Sequence, residues 1–465
     1  MAKYTNTDLQ NTIVALSTPQ GLGAIGVIRL SGTDAIAIVD RVFYGKKLSK
    51  QASHTIHFGT IRNGSQILDE VLVALFIAPR SYTSENIVEV SCHGSPYILQ
   101  RIIELFISEG ARLAKPGEFT MRAFLNGRMD LSSAEAVADL IASQSEAAHT
   151  MAMQQMRGGF SQEIALLRER LIHFASLVEL ELDFGEEDVE FADRSALISL
   201  IQQIQTLLRR LIGSFSLGNA IKNGVTTVIA GRPNAGKSTL LNAILNEERA
   251  IVSSIAGTTR DTIEELININ GVQFRLIDTA GIREAQDQIE AIGVQKTIET
   301  IKKSTILVYV FDVTELTPEM VKKDLQSLHK KGLHFLAVAN KMDLNPYLKP
   351  ELYANDILPN NNIVTTSALN KMNIEHLKEK LYELALSQQL NAQSTIVSNA
   401  RHYESLQKSY EALDQVLQGI DNHINGELLS FDIRDALAHL GEITGEAITS
   451  DDLLGNIFGK FCIGK

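Results

Sequence analysis

The segment Gly231-Arg-Pro-Asn-Ala-Gly-Lys-Ser238 spaces two glycines, a lysine and a hydroxyl as G-x-x-x-x-G-K-[ST]. A short apolar run, Val225–Ala230, leads into it, and a helical pattern at Thr239–Leu245 follows. Between a strand and a helix, such a loop surrounds phosphate oxygens with backbone N–H groups and a helix N-terminus. Lys237 can then reach the β- and γ-phosphates, and the Ser238 hydroxyl can ligate Mg²⁺. Asn234, Ala235, Gly236 and Thr239 complete the phosphate-contacting set.

Three further signals follow in order. Asp278-Thr279-Ala280-Gly281 ends an apolar run, Phe274–Ile277. Its carboxylate can hold Mg²⁺ through water, and the Gly281 N–H can sense a γ-phosphate. Asn340-Lys341-Met342-Asp343 ends Phe335–Ala339. The Asp343 carboxylate can accept from guanine N1–H and the 2-amino group, a donor pair that adenine lacks, so GTP is selected over ATP. Ser367-Ala368-Leu369 ends Ile363–Thr366 and can set a backbone N–H on the guanine O6. All these signals sit where strands finish, the edge at which open α/β sheets bind ligands.

Upstream of the second signal, Gly257-Thr258-Thr259-Arg-Asp261 offers Thr259 to the Mg²⁺ shell and the Thr258 backbone to the γ-phosphate. Loops of this kind order around the γ-phosphate and relax after hydrolysis. Many small GTPases orient the attacking water with a Gln just after the Asp-Thr-Ala-Gly signal. That position is Ile282, which cannot hydrogen-bond water. Glu284, Asp287 and Glu290 are nearby carboxylates, and Arg260 and Arg283 are nearby cations. A fixed cation could supply the positive charge that an arginine finger gives elsewhere.

The elements that must position these residues change character along the chain. Residues 1–120 read as mixed α/β, with strands at Thr12–Ala15, Ala24–Arg29, Glu70–Ile77 and Ile87–Val90 and helices at Asp34–Val42 and Pro96–Ser108. From Ser132, which stands three before Glu135 in capping-box spacing, helical patterns run to about Leu217. Strands and helices then alternate; Thr262–Ile269, Asn270-Gly271 and Val272–Ile277 read as a hairpin. A Gln/Asn/Ser-rich link at Leu386–Ser398 returns the chain to helices. The implied architecture is α/β plus all-α: a P-loop GTPase domain (218–385) inserted into a helical domain (121–217 and 386–465), preceded by an α+β domain (1–120). Two helical halves that are short of partners alone favour that arrangement.

At 465 residues and 45% apolar, the chain can form about three cores without staples. It has no apolar run long enough to span a bilayer, and its start lacks a signal-peptide layout, so a cytoplasmic protein is expected. Cys92 and Cys462 are the only cysteines, so no disulfide framework or zinc site is expected. Net charge is −12, yet residues 1–125 hold 12 Lys/Arg against 10 Asp/Glu, so the acidity lies in the rest. An acidic body does not coat nucleic acid by bulk electrostatics, although a local RNA-contacting patch remains compatible with it.

Together with Gly117-Glu-Phe119, Arg122-Ala-Phe-Leu-Asn126, Ala134-Glu-Ala136, Glu442-Ile-Thr-Gly-Glu446, Asp451-Asp-Leu-Leu-Gly455 and the terminal Cys462-Ile-Gly-Lys465, these signals resemble the MnmE (TrmE) family of tRNA-modification GTPases over essentially the whole chain. The resemblance implies a folate-binding and dimerising first domain, and a homodimer whose GTPase domains meet when GTP and potassium are bound. It places K⁺ on Asn234 of the phosphate loop and on Ser253, Ile255 and Thr258, the last three within a nucleotide-facing segment that also includes Ser254, Ala256 and Gly257. It assigns water activation to Glu290. The folate, 5,10-methylenetetrahydrofolate or 5-formyltetrahydrofolate as a bound analogue, falls to Arg29, Glu89, Arg128 and Lys465. The family usually has Lys where Arg128 stands, which keeps the charge and changes the geometry. The implied partner is the FAD-containing MnmG (GidA), forming a heterotetramer or larger complex. With it, an aminomethyl or carboxymethylaminomethyl group is placed on C5 of wobble uridine in tRNA, and Cys462 is a thiol linked to that modification. Cys462-Ile-Gly-Lys465 does not fit a prenylation signal.

Two other classes use the same nucleotide signals. A ribosome-assembly GTPase would carry a strongly basic RNA-binding module, which neither flank offers. A stress or signalling switch would use the first domain only as a scaffold; folate titration separates that reading.

Overall fold

The computed structural model describes residues 10–183, 194–246, 264–278, 304–329, 333–386, 396–422, 424, 426–446, 457–459, 461 and 464. Its strands are β1 (Ile13–Leu16), β2 (Ile25–Ser31), β3 (Phe43–Tyr44), β4 (Thr55–Asn63), β5 (Gln66–Phe76), β6 (Ile87–His93), β7 (Arg112–Leu113), β8 (Val225–Ala230), β9 (Glu264–Ile269), β10 (Val272–Asp278), β11 (Ile306–Asp312), β12 (His334–Asn340) and β13 (Ile363–Thr365). The helices are α1 (Ala35–Val42), α2 (Pro96–Ser108), α3 (Glu118–Leu125), α4 (Leu131–Ala142), α5 (Glu146–Met156), α6 (Ser161–Asp183), α7 (Arg194–Asn223), α8 (Lys237–Asn246), α9 (Pro318–Leu328), α10 (Ile374–Leu386), α11 (Ala400–Asp421) and α12 (Gly426–Thr444). Contacts divide the chain into two units, Met1–Ile141 with Met153–Gln202 and Lys408–Lys465, and Ala142–Ala152 with Gln203–Gln407.

The first unit is built on a seven-stranded sheet in the order β3-β4-β5-β6-β2-β1-β7. Alternation along β2 buries Ile28 and Leu30 on one face, where they pack with Val88, Val90, Ile38, Leu99, Ile102 and Phe106 from β6, α1 and α2. The opposite face carries Arg29, which the antiparallel register sets directly across from Glu89. The strand expected at Glu70–Ile77 is longer, Gln66–Phe76, and forms a hairpin with β4, which the sequence reading did not include. β4 escaped notice because His57, Gly59 and Arg62 break its apolar alternation.

Helix α4 corrects one expectation. Ser132 is not its cap: it lies buried inside the first turn, and Asp130 Oδ1 accepts from the Ser133 N–H at 2.6 Å. An aspartate two residues earlier outcompetes the serine because a carboxylate is the stronger acceptor for the free N–H groups there. In the same unit α6 and α12 are joined by Arg434–Glu179 at 2.8 Å and by the Arg168–Glu446 pair.

The second unit holds a six-stranded sheet, β13-β12-β11-β8-β10-β9, parallel except for β9, which pairs antiparallel with β10. β11 is buried along its whole length, as a central parallel strand covered on both faces must be. One face packs Ile229, Val308, Val310 and Val338 against Leu240, Ile244 and Leu377. The other packs Val228, Leu307, Tyr309 and Ala337 against Val321 and Leu325. The β9–β10 turn is made by Asn270 and Gly271 with φ of 50° and 82°, the left-handed pair of a two-residue hairpin turn.

Candidate functional site

β8 ends at Ala230, and the chain turns into α8 through Gly231–Gly236. A Cβ on Gly231 would lie 2.1 Å from the Val310 carbonyl oxygen, so only glycine lets the loop leave the sheet so close to β11. Asn234 and Gly236 take φ of 62° and 90°, which turn successive N–H groups inward. The Lys237 ammonium donates to the carbonyls of Gly231 at 3.1 Å and Arg232 at 3.0 Å, arching over the loop it must serve. Ser238 Oγ donates to Asp278 Oδ2 at 3.3 Å. The registers of β8 with β10 and of α8 with β8 thus bring together a hydroxyl and a carboxylate 40 residues apart, both hard oxygen donors suited to Mg²⁺.

The two loops expected to meet the base are tied to this centre by one side chain. Asn340 Nδ2 donates to the Ala235 carbonyl at 2.9 Å, and its Oδ1 accepts from the Ala368 N–H at 3.0 Å and from Thr366 Oγ1 at 3.3 Å. Asn340 is buried, so these bonds form away from water. Met342 N–H donates to the Thr366 carbonyl at 3.0 Å, which sets the two loops side by side. Asp343 is exposed there, and its carboxylate makes no hydrogen bond or ion pair among the described residues. Ser367 and Ala368 are buried, whereas Leu369 is 80% exposed.

Two groups of residues at this site carry no motif. Asp312, at the end of β11, accepts from Lys341 Nζ at 2.5 Å and from Thr314 Oγ1 at 2.7 Å. Burial pushes its carboxyl up, but the Lys341 and Thr314 bonds outweigh it and hold the group below the usual range. Arg232 is held by Asp324 on α9 through two bonds, of 2.8 and 3.0 Å, and Tyr309 OH donates to the same carboxylate. Burial again opposes ionisation of Asp324, and the bonds from Arg232 and Tyr309 prevail. The only legible hint of Asp312 was an acid closing an apolar strand; Asp324 gave none.

In the first unit, the Arg29 guanidinium pairs with Glu89 at 2.8 Å and lies 5.7 Å from the ring centres of both Tyr82 and Phe119. Burial raises the Tyr82 phenol, against the Thr120 bond and the Arg29 charge. Behind the rings, Glu118 and Arg122 are buried and paired at 3.0 Å, and Arg112 reaches Glu118 at 2.5 Å. Glu85 accepts from Arg122 at 3.2 Å and from Ser31 at 2.7 Å. The Gly117-Glu-Phe119 motif therefore supplies an ion-pair anchor and a ring under Arg29. Arg128 is exposed in the turn after α3, and its side chain makes no hydrogen bond or ion pair among the described residues. The Gly464 carbonyl approaches Arg29 Nη1 at 3.5 Å and accepts from Ser17 Oγ at 3.3 Å. Cys92 is buried, with its thiol directed at the Gly26 carbonyl.

Ser253, Ser254, Ile255, Ala256, Gly257, Thr258, Thr259, Thr279, Ala280, Gly281, Glu290, Cys462 and Lys465 lie outside the described residues, as do Arg260, Ile282, Arg283, Glu284, Asp287 and 451–455. Among the described residues, no helix is long and apolar enough to cross a membrane.

Residues 12–128 match the model of the GTP-binding protein TrmE N-terminus, and residues 131–462 match that of the MnmE helical domain. The chain is 55% identical to the tRNA modification GTPase MnmE of Cytophaga hutchinsonii over 465 residues, covering 100% of both chains. It is 52% identical to that of Christiangramia forsetii, covering 98% of this chain and 100% of the relative, and 50% identical to that of Bacteroides fragilis with the same coverage. A strand–loop–helix turn that fits phosphates, a hydroxyl–carboxylate pair beside it, and family matches along nearly the full length agree: the chain belongs to the MnmE (TrmE) family of tRNA-modification GTPases.

Proposed function

We propose that the protein hydrolyses GTP to drive modification of C5 of wobble uridine in tRNA, acting in the cytoplasm as a homodimer with the FAD-containing MnmG. The observation that carries this reading is the gathering of four separate signals at the C-terminal ends of β8, β10, β12 and β13, with Ser238 Oγ 3.3 Å from Asp278 and Asn340 bridging the two halves. Ser238 and Asp278 are the described residues that would hold Mg²⁺, which when bound neutralises charge on the phosphate oxygens. Lys237 releases its two loop carbonyls to meet the β- and γ-phosphates. Asp343, exposed and without a partner among the described residues, accepts the two guanine donors. Thr259 closes over the metal, and Glu290 orients the attacking water.

Arg232, the one arginine of the phosphate loop, is committed to Asp324 by two bonds. A separate cation therefore suits the transition state, and K⁺ on Asn234, Ser253, Ile255 and Thr258 is the proposal. Among these, Asn234 is described: it is exposed in a left-handed turn, and its side-chain oxygen suits that hard cation. The test is GTP turnover by the full chain in K⁺ against Na⁺, with self-association followed in parallel. Faster turnover and GTP-dependent association in K⁺ support the reading; equal turnover without association overturns it.

For the first domain we propose a tetrahydrofolate one-carbon donor at Arg29 and Glu89, together with Arg128 and Lys465. The Arg29 cation, the Glu89 acceptor and the Tyr82 and Phe119 rings match a ligand that has carboxylates, ring N–H donors and a flat ring. The group supplies the one-carbon unit; this chain's residues hold it and exclude water. The domains proposed are 1–120, 121–217 with 386–465, and 218–385. Titration of 5-formyltetrahydrofolate into the full chain tests the folate reading, and absence of binding overturns it.

A further inference from the structure

The phosphate loop is short and is gripped from several sides. Gly231 lies against the Val310 carbonyl of β11, and the Ala235 carbonyl is held by Asn340. A further grip comes from α9. Asp324 takes the Arg232 guanidinium in a two-point fork, Nε to Oδ2 at 2.8 Å and Nη2 to Oδ1 at 3.0 Å. Such a fork fixes the plane of the guanidinium as well as its position. Tyr309 OH donates to the same carboxylate, so Asp324 is itself held from behind. Tyr309 is buried in β11, in register with Ala230, the last residue of β8 before the loop. Val321 and Leu325 anchor α9 in the same core as Tyr309. Residue 233 is proline, whose ring fixes its own φ and steers Arg232 away from helical backbone. Between the Asp324 grip at 232 and the Asn340 grip at 235 stand only Pro233 and Asn234.

We propose that Asp324 is a positioning residue of the phosphate site: gripping Arg232 from α9, it pre-sets the loop for the β-phosphate and keeps the arginine off the phosphates. This rests on the nucleotide reading given for that loop. Arginine is the side chain best shaped for phosphate, so one inside a phosphate loop is expected to bind there. Here its fork is filled by a carboxylate before any nucleotide arrives. What the arginine contributes instead is its main chain. Its carbonyl accepts from Lys237 Nζ at 3.0 Å, beside the Gly231 carbonyl at 3.1 Å, so the grip also fixes the place where the lysine waits. With the grip released, the run from Arg232 to Asn234 must be ordered by the nucleotide itself, and that cost is subtracted from binding. It falls on ligands that fill the loop, GDP and GTP. It spares GMP, whose base meets loops that Asn340 sets without Asp324.

The experiment measures the affinities of the full chain for GMP, GDP and GTP, by competition against a fluorescent guanine nucleotide with Mg²⁺ present. Wild type is compared with Asp324→Ala, Arg232→Met, the double variant and Tyr309→Phe, with thermal unfolding of the empty proteins to confirm folding. Asp324→Ala and Arg232→Met should each weaken GDP and GTP about tenfold and leave GMP unchanged. Tenfold is about 1.4 kcal/mol, the order of fixing the backbone of one residue. The double variant should be no weaker than either single one, because both remove the same grip. Tyr309→Phe, which keeps the fork and removes the bond behind it, should shift GDP the same way by less. Arg232→Met and Tyr309→Phe decide the matter should Asp324→Ala fail to fold. Equal losses for GMP and GDP would mean general damage and overturn the positioning role, as would unchanged GDP affinity in the folded variants. Weaker GDP binding in Arg232→Met with tighter binding in Asp324→Ala would make the arginine a phosphate ligand and overturn the grip. If wild type binds GDP no better than GMP, the loop is not a phosphate site, and the nucleotide reading falls with the proposal.

Discussion

Replacing Asn340 with Ala should separate the phosphate loop from the guanine-side loop. Asn340 makes two well-formed bonds to backbone, 2.9 Å to the Ala235 carbonyl and 3.0 Å from the Ala368 N–H, and a longer one from Thr366 Oγ1. The alanine leaves one buried carbonyl and one buried N–H without a partner, each costing about 1–3 kcal/mol. Both groups border the proposed nucleotide site, where water can partly compensate, so a total of about 2–4 kcal/mol is reasonable. Bound GTP needs the two loops in register, and this cost therefore falls on binding: at 1.4 kcal/mol per tenfold, affinity should weaken roughly 30- to 700-fold. Titration with a fluorescent guanine nucleotide reads the affinity, and denaturant unfolding reads any loss shared with the empty fold. Thr366→Val, which removes only the longest bond, should stay within about tenfold of wild type. A folded Asn340→Ala protein binding nucleotide within threefold of wild type would refute the idea that this side chain joins the two halves.

Asp343→Asn should weaken GTP relative to xanthosine triphosphate, because the amide cannot accept from both guanine donors; an unchanged preference in competition binding rejects the assignment. Glu290→Ala should bind GTP normally but turn over about 100-fold more slowly, the size of a lost water-orienting group, and unchanged turnover removes Glu290 from that role. Glu118 carries a pH signature: burial raises its carboxyl, but the Arg112 bond, the Lys115 N–H and the Arg122 and Arg112 charges hold it below its usual 4.5. The folded state thus binds fewer protons there than the unfolded one, so the stabilisation is complete above about pH 4.5 and is lost as pH falls through the lowered value. Glu118→Gln should flatten that acid slope and destabilise the unit by about 1–3 kcal/mol, because Arg112 and Arg122 lose a charged acceptor while Arg122 keeps Glu85; an unchanged unfolding curve from pH 5 to 3 contradicts this.

Much of the second sheet was legible because its signals are local. Val225–Ala230 is apolar throughout, the glycine spacing follows immediately, and Asn270-Gly271 marks a turn by its own backbone preference. The first sheet was less legible. Ile28 and Leu30 alternate cleanly, but β4 is interrupted by polar residues whose neighbours cover them only after folding. Ser132 shows the limit of spacing rules: its distance from Glu135 is right for a cap, yet Asp130 holds the position.

The amino-acid order by itself determined the phosphate loop between a strand and a helix, the acid expected to select guanine, and the alternation of helical and α/β segments, because each depends on residues within a few positions of one another. The tertiary structure decided the pairs: Arg29 with Glu89 through strand register, Arg232 with Asp324 across 92 residues, and the Gly464 carbonyl with Ser17 across 447. A periodicity states which face a side chain takes on its own element. Only packing, with its demand that buried charges and backbone groups find partners, decides which side chain stands opposite.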